Sequence, residues 1–216
     1  MPLDLLVPYA DREQAKRLGA HWVPKHKVWV VPDYIREIDA FRAWIPFQKG
    51  CIVRHPYIIC LSKTNCWKCG KETPMVALGA ENYFEFAGGS WVKVSEQSLF
   101  SWVLTLDAGI AQYMREHYPF FKNTYSRTLQ MAYYGNTCIS CGKLQGDFFH
   151  HEEPGGAFFP DPFDYRPASI ILKNIDIRFD YHIDASFGGM AYDNMFSPQN
   201  KAQSAKHGLS IHSLKS

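Results

Sequence analysis

Apolar positions along this chain come in short runs broken by turn-forming residues, and their period changes several times. Leu3 to Val7 reads as a first strand. Asp11 then offers an N-cap with Gln14 three residues on, and the helix it opens stops at Gly19. A turn over Pro24, Lys25, His26 and Lys27 leads into a strand at Val28 to Val31, and a second short helix is expected from Tyr34 to Trp44. Further on, Pro74 to Val94 alternates apolar and polar residues around Gly88-Gly89, the pattern of a β-hairpin. Ser95 is expected to cap a helical region, Asp107 to cap another through His117, and 124–134 to continue as a third segment. Ile170 to Leu172 and Ile175 to Tyr181 have the period-two pattern of a half-buried strand pair. After Ser197 the chain becomes polar and small, as in a tail.

Two further patterns dominate the chemistry. Cys66-Trp67-Lys68-Cys69-Gly70-Lys71 and Cys138-Ile139-Ser140-Cys141-Gly142-Lys143 are the same C-x-x-C-G-K turn written twice. Two residues between cysteines let both sulfurs of a tight turn face one ion, and the following glycine accepts the positive φ such turns need. Cys66, Cys69, Cys138 and Cys141 are therefore read as ligands of one structural zinc, with a disulfide framework or four unligated thiols as alternatives. Cys51 and Cys60 lie outside the pattern, in an apolar stretch, and read as buried strand residues.

These elements define an α+β protein with three parts. Residues 1–48 form a small α/β unit, 49–196 an elaborated four-cysteine zinc ribbon, and 197–216 a polar tail. The segment between the cysteine turns, about 70–137, is far longer than a minimal ribbon loop and reads as an inserted hairpin and helical subdomain.

The chain of 216 residues is 46% hydrophobic and 15% aromatic, which describes a folded protein and excludes disorder as the default. No apolar run approaches the roughly 20 residues of a membrane span. The start Met-Pro-Leu-Asp has no basic stretch leading into an apolar run, so a cytoplasmic location is expected. Net charge is only +2, but unevenly placed. Arg12, Lys16, Arg17, Lys25 and Lys27 cluster near the start; Asp147, Glu152, Glu153, Asp161, Asp164, Asp176, Asp180, Asp184 and Asp193 make the C-terminal part acidic.

The N-terminal stretch resembles a short bacterial domain of unknown function with the pattern V-P-Y-x-E-K-x-E-A-K-x-L-G-A-x-W-D-x-x-x-K-x-W-Y-V-P. It is carried here by Val7-Pro8-Tyr9, Ala15-Lys16, Leu18-Gly19-Ala20, Trp22, Lys27, Trp29 and Val31-Pro32, with Val23 replacing the usual acidic residue. That domain occurs on plasmid proteins and on DNA-processing enzymes such as primases, so the resemblance implies an accessory binding module and no chemistry. The remainder is similar to uncharacterised bacterial zinc-ribbon proteins, through Leu144-Gln145-Gly146-Asp147-Phe148-Phe149 and Glu153-Pro154-Gly155-Gly156-Ala157-Phe158-Phe159.

Three functions follow as expectations. The first is a non-catalytic zinc protein that binds a protein partner, in an immunity or antitoxin role where acidic residues, Asp147, Glu152 and Glu153 with His150 and His151 among them, cover a basic site. The second is nucleic-acid binding through Arg12, Lys16, Lys25 and Lys27, with Trp22 and Trp29 as a stacking surface; the plainer reading packs both indoles in the core. The third is metal-dependent hydrolysis at His150 and His151. Against it stand the absence of H-E-x-x-H and of H-x-E before a C-x-x-C, and the closed coordination of a four-cysteine site. The alternative for His150 to Glu153 is a solvated turn, with Phe148, Phe149, Phe158 and Phe159 packing beneath it. No membrane and no organic cofactor are expected.

Overall fold

A computed structural model describes residues 3–54, 57–159, 171–175 and 180–187 of the chain. The protein is α+β and rich in sheet. Near the N-terminus, β1 (Leu3–Leu5), β2 (His21–Val23) and β3 (Val28–Val31) form a three-stranded antiparallel sheet in the order β1-β3-β2, with α1 (Arg12–Arg17) between β1 and β2. The expected helix from Tyr34 is shorter, a 3-10 turn over Asp39–Trp44. Asp11 does not cap α1; its carboxylate accepts the Trp44 indole N–H at 2.9 Å, tying the helix start to that turn.

The remaining strands are β4 (Cys51–Val53), β5 (Tyr57–Asn65), β6 (Glu72–Ala80), β7 (Tyr83–Ala87), β8 (Ser90–Val94), β9 (Ser98–Leu106), β10 (Phe121–Ser126), β11 (Met131–Asn136), β12 (Ile171–Ile175) and β13 (Tyr181–Phe187). Among the described residues they make one sheet of ten strands along the path β12-β5-β6-β9-β13-β4-β7-β8, with β11 joined to β9 and β10 to β11. α2 (Ala108–His117) starts where expected, with the Gly109 N–H donating to Asp107 Oδ1 at 2.8 Å.

Three expectations change. The helical region after Ser95 is strand β9, since Leu99, Phe100 and Val103 bury against β5, β6 and α2 rather than along one helix face. The segment 124–134 is the β10–β11 hairpin. Ile170–Leu172 and Ile175–Tyr181 do not pair with each other: β12 pairs β5 and β13 lies between β4 and β9, while 176–179 fall outside the described residues, as does the 197–216 tail.

The main core lies on the sheet face covered by α2, where Tyr57, Ile59, Val76, Leu78, Phe100, Ile110, Met114 and Tyr181 meet. Cys51 and Cys60 are buried in β4 and β5, as expected. Ile58, Cys60, Met75, Ala77 and Leu99 line the opposite face under Ala157 and Phe158, so β5 and β6 are covered on both sides. The N-terminal unit shares a second core with the large sheet, Leu3, Leu5, Val31, Phe41 and Trp44 packing with Ile52, Phe84 and Trp91. Arg54 fastens the junction: partly buried, it donates to Asp180 Oδ2 at 2.8 Å, to the Pro32 carbonyl at 3.1 Å and to the Ile35 carbonyl.

Candidate metal centre

The first cysteine turn is the tip of the β5–β6 hairpin, whose register runs from Tyr57 opposite Ala80 to Asn65 opposite Glu72. The second follows β11 and is closed by the Thr137–Leu144 bridge. Their backbones match. Cys66 N–H donates to the Lys71 carbonyl at 2.9 Å and Gly70 N–H to the Cys66 carbonyl at 2.9 Å; the same bonds join Cys138 with Lys143 and Gly142 with Cys138, both at 2.8 Å. Gly70 and Gly142 sit at φ of 71° and 70°, the left-handed region the pattern requires.

Polar side chains hold the two turns together. Asn136, buried at the end of β11, donates to the Val76 carbonyl at 3.0 Å and accepts the Val76 N–H at 2.9 Å, so its amide replaces a strand on β6. Thr73 Oγ1 accepts the Ile139 N–H at 3.2 Å. Trp67 donates its indole N–H to the Leu144 carbonyl at 2.8 Å. Buried Gln145 accepts the Trp67 N–H at 3.4 Å and points its amide at Cys66 Sγ, also at 3.4 Å.

The consequence is convergence of four sulfurs. Cys66 Sγ lies 3.6 Å from Cys141 Sγ, Cys69 Sγ lies 3.7 Å from Cys138 Sγ, and all four fall within 4.8 Å of one another. All six cysteines are free thiols. Burial pushes the Cys66 thiol up, but the Cys69 and Lys68 N–H groups and the neighbouring sulfurs outweigh it and bring it down to about 6. Cys138 is lowered against burial by the N–H groups of Cys141 and Ser140. Donors aimed at sulfur favour the thiolate, the form that binds metal. This group could hold a metal ion.

The segment after it behaves otherwise. Asp147 to His151 is a short helix, α3, in which Asp147, His150 and His151 are buried while Phe148 and Phe149 are 52% and 53% exposed. The expected solvated turn over packed phenylalanines is thus reversed for these residues. Gly156 explains the close seating of α3: a Cβ there would stand 2.2 Å from the Phe149 carbonyl oxygen and 2.8 Å from His150 Cα. Asp147 and Glu152 share Trp102 as partner, while the histidines turn elsewhere. Asp147 Oδ2 accepts the Trp102 N–H at 2.8 Å, Glu152 Oε1 accepts the Trp102 indole N–H at 3.0 Å, and His150 Nδ1 accepts the Ala157 N–H at 3.4 Å. The His151 ring packs on Phe158 with centroids 4.7 Å apart. Burial raises Asp147 to about 7 and lowers His150 to about 4. Burial, helped by the nearby His150, lowers His151 to about 3. Among the described residues the histidines and carboxylates of 147–153 join no group of three metal-ligand atoms.

Trp102 is the unforeseen participant. It has φ of 51° inside β9, at a bulge where three residues, 102–104, stand opposite Ala185 alone. A positive φ is costly for so bulky a residue, and Asp147 and Glu152 supply the bonds that hold it. No spacing rule in the sequence marks that position. For Gln145 a signal existed, in the Leu144-Gln145-Gly146 segment of the second resemblance.

In the N-terminal unit, Arg12 lies 3.8 Å over the Tyr9 ring, and Arg12 and Lys16 both bond Glu13. Lys25 and Lys27 are exposed in the β2–β3 turn. Trp29 is half-buried against the N-terminal core, but Trp22 remains 46% exposed, so only one of the two indoles follows the core expectation. Among the described residues no helix is long and apolar enough to cross a membrane.

A family model described as a domain of unknown function (DUF5710) matches residues 3–46, the stretch that carried the N-terminal resemblance. No curated protein and no solved structure matches the chain.

Proposed function

We propose that the four thiolates hold one zinc ion with a structural role, in an elaborated zinc ribbon, and that the protein is a non-catalytic binding protein. The observation that carries the reading is the sulfur geometry. Zinc with four thiolates at about 2.3 Å in a tetrahedron sets the sulfurs about 3.8 Å apart, close to the 3.6 and 3.7 Å separations across the turns. Four thiolates fill a tetrahedral zinc and leave no position for a reacting water, which argues for structure over hydrolysis. N–H groups of Lys68 and Ser140, each 3.4 Å from a cysteine sulfur, support that role by fixing the sulfur lone pairs.

A protein partner of the immunity type draws less support from the described acidic residues, because several are engaged internally. Asp147 bonds Trp102, Asp180 pairs with Arg54 and Asp184 with Lys49. Asp161, Asp164, Asp176 and Asp193 lie outside the described residues. Glu152 also bonds Trp102 through its indole. The test of the zinc reading is metal-dependent folding: removal of the ion by a strong chelator is expected to unfold the region around the cysteine turns, with near-UV circular dichroism as the readout. Unchanged tertiary structure after complete metal removal would overturn it.

A further inference from the structure

The segment from Gln14 to Pro32 contains no Asp or Glu and carries Lys16, Arg17, Lys25 and Lys27. Lys16 is engaged by Glu13 from outside the segment, leaving the other three cations exposed. β2 is the edge strand of its sheet, and it displays Trp22 beside the Lys25–Lys27 turn. Trp29, directly opposite in the register, packs on Trp22 with ring centroids 5.7 Å apart, so the indole is propped from one side. Tyr34, 70% exposed, is positioned by its hydroxyl 3.3 Å from His21 Nε2 on the same strand. Lys27 itself sits at φ of 51°, where glycine would be unstrained. The turn accepts that strain and keeps a cation at its tip.

We infer that the β2–β3 hairpin binds single-stranded nucleic acid, a base stacking on Trp22 while Lys25 and Lys27 meet the adjoining phosphates. The inference rests on the reading of the chain as a binding protein and adds the surface and the ligand. Exposed π faces next to cations that form no ion pair among the described residues match the alternation of base and phosphate along a single strand. A duplex hides its base faces in the stack, and an acidic polypeptide would use the lysines without the indole.

The experiment titrates the full-length, metal-analysed protein into a fluorescein-labelled oligothymidylate and follows anisotropy over a range of salt. Binding is expected to weaken with salt and to quench tryptophan fluorescence. Trp22→Ala is expected to weaken it on the order of tenfold, with Trp22→Phe restoring most of the loss. Lys25→Gln and Lys27→Gln should each reduce the slope of log affinity against log salt by about 0.7. Lys27→Gly, which relieves the backbone, should bind less tightly while folding at least as well. No binding at low salt by folded protein, binding unaffected by these variants, or equal affinity for duplex would each overturn the inference. So would polyglutamate binding as tightly and losing affinity with the lysines but not with Trp22, which would assign the surface to an acidic polypeptide. Metal content and circular dichroism of every sample separate failure of this surface from failure of the zinc site.

Discussion

The cysteine turns and the α3 segment are both dense in potential metal ligands, yet only the first brings its donors to a point. Four sulfurs converge within 4.8 Å because two matching turns are clamped face to face by Asn136, Gln145 and Trp67. Asp147, His150, His151 and Glu152 lie within six residues of sequence, yet Asp147 and Glu152 bond Trp102 while His150 takes the Ala157 N–H and His151 packs on Phe158. Ligand density along a chain is therefore a poor guide to a site unless the spacing also fixes direction. C-x-x-C-G does fix it, through a turn whose hydrogen bonds aim both sulfurs outward from one loop. D-F-F-H-H-E does not: Asp147, His150 and His151, at i, i+3 and i+4, share the buried face of α3, but Asp147 is taken up by the Trp102 N–H, His150 by the Ala157 N–H, and the His151 ring packs on Phe158.

The contrast is broken most forcefully by removing ligands from each region. Cys69→Ser, or chelation, should cost folding free energy on the order of 10 kcal/mol, the scale of structural zinc binding, and collapse near-UV ellipticity. His150→Gln with His151→Gln should leave metal per chain unchanged even where stability falls. A lost equivalent in that double variant, measured by atomic emission, would restore the histidines as ligands.

A second test uses pH. Asp147 has a folded pKa raised to about 7 from 3.8 unfolded, so the native state keeps a proton that the unfolded chain has released between those values. Its contribution is present below about pH 4 and is lost as pH rises through 7, by at most about 4 kcal/mol. Asp147→Asn keeps an acceptor for the Trp102 N–H and has no such slope. Urea unfolding at pH 5 and pH 8 is expected to show the variant gaining on the natural protein at the higher pH. Parallel changes in both would refute the buried, protonated carboxylate.

Gly156→Ala should cost about 2–4 kcal/mol, since the new methyl meets backbone of α3 that has no room to yield. Gly142→Ala, at positive φ but in open space, should cost about 1 kcal/mol. Equal melting temperatures for these two variants would contradict the tight seating of α3. An effect of similar size to that of Gly142→Ala is expected for Gln145→Ala, which removes one N–H from Cys66: zinc affinity should fall about tenfold, measured by competition with a chromophoric chelator.

Local rules read parts of this molecule well. The C-x-x-C-G turns, the Asp107 cap and the Gly88-Gly89 turn are set by short-range geometry and appear where their residues place them, although the hairpin around that turn spans only Tyr83 to Val94, Pro74 to Ala80 pairing with β5 instead. Strand β9 is not legible locally because Ser95-Glu96-Gln97 imitates a helix start, while its state is decided by pairing with β13, β6 and β11, distant in sequence. The burial of His150 and His151 was missed for a related reason. Two imidazoles beside two glutamates look solvated, but a neutral ring costs far less to bury than a charged one, and the close approach permitted by Gly156 depends on a loop that folds back. For Trp22 and Trp29 the sequence leaves a stacking surface and a packed core both open, since aromatic residues in so small a unit suit either; that β2 is an edge strand, leaving one ring uncovered, follows only from the sheet order.

The measurement that bears most directly on the central claim is metal identity and stoichiometry, with a free-thiol count, on protein purified without added metal. One zinc per chain, four thiols protected from reagent until it is removed, and release of the ion on Cys69→Ser are the predicted result. Four freely reactive thiols in a folded, metal-free protein would contradict it.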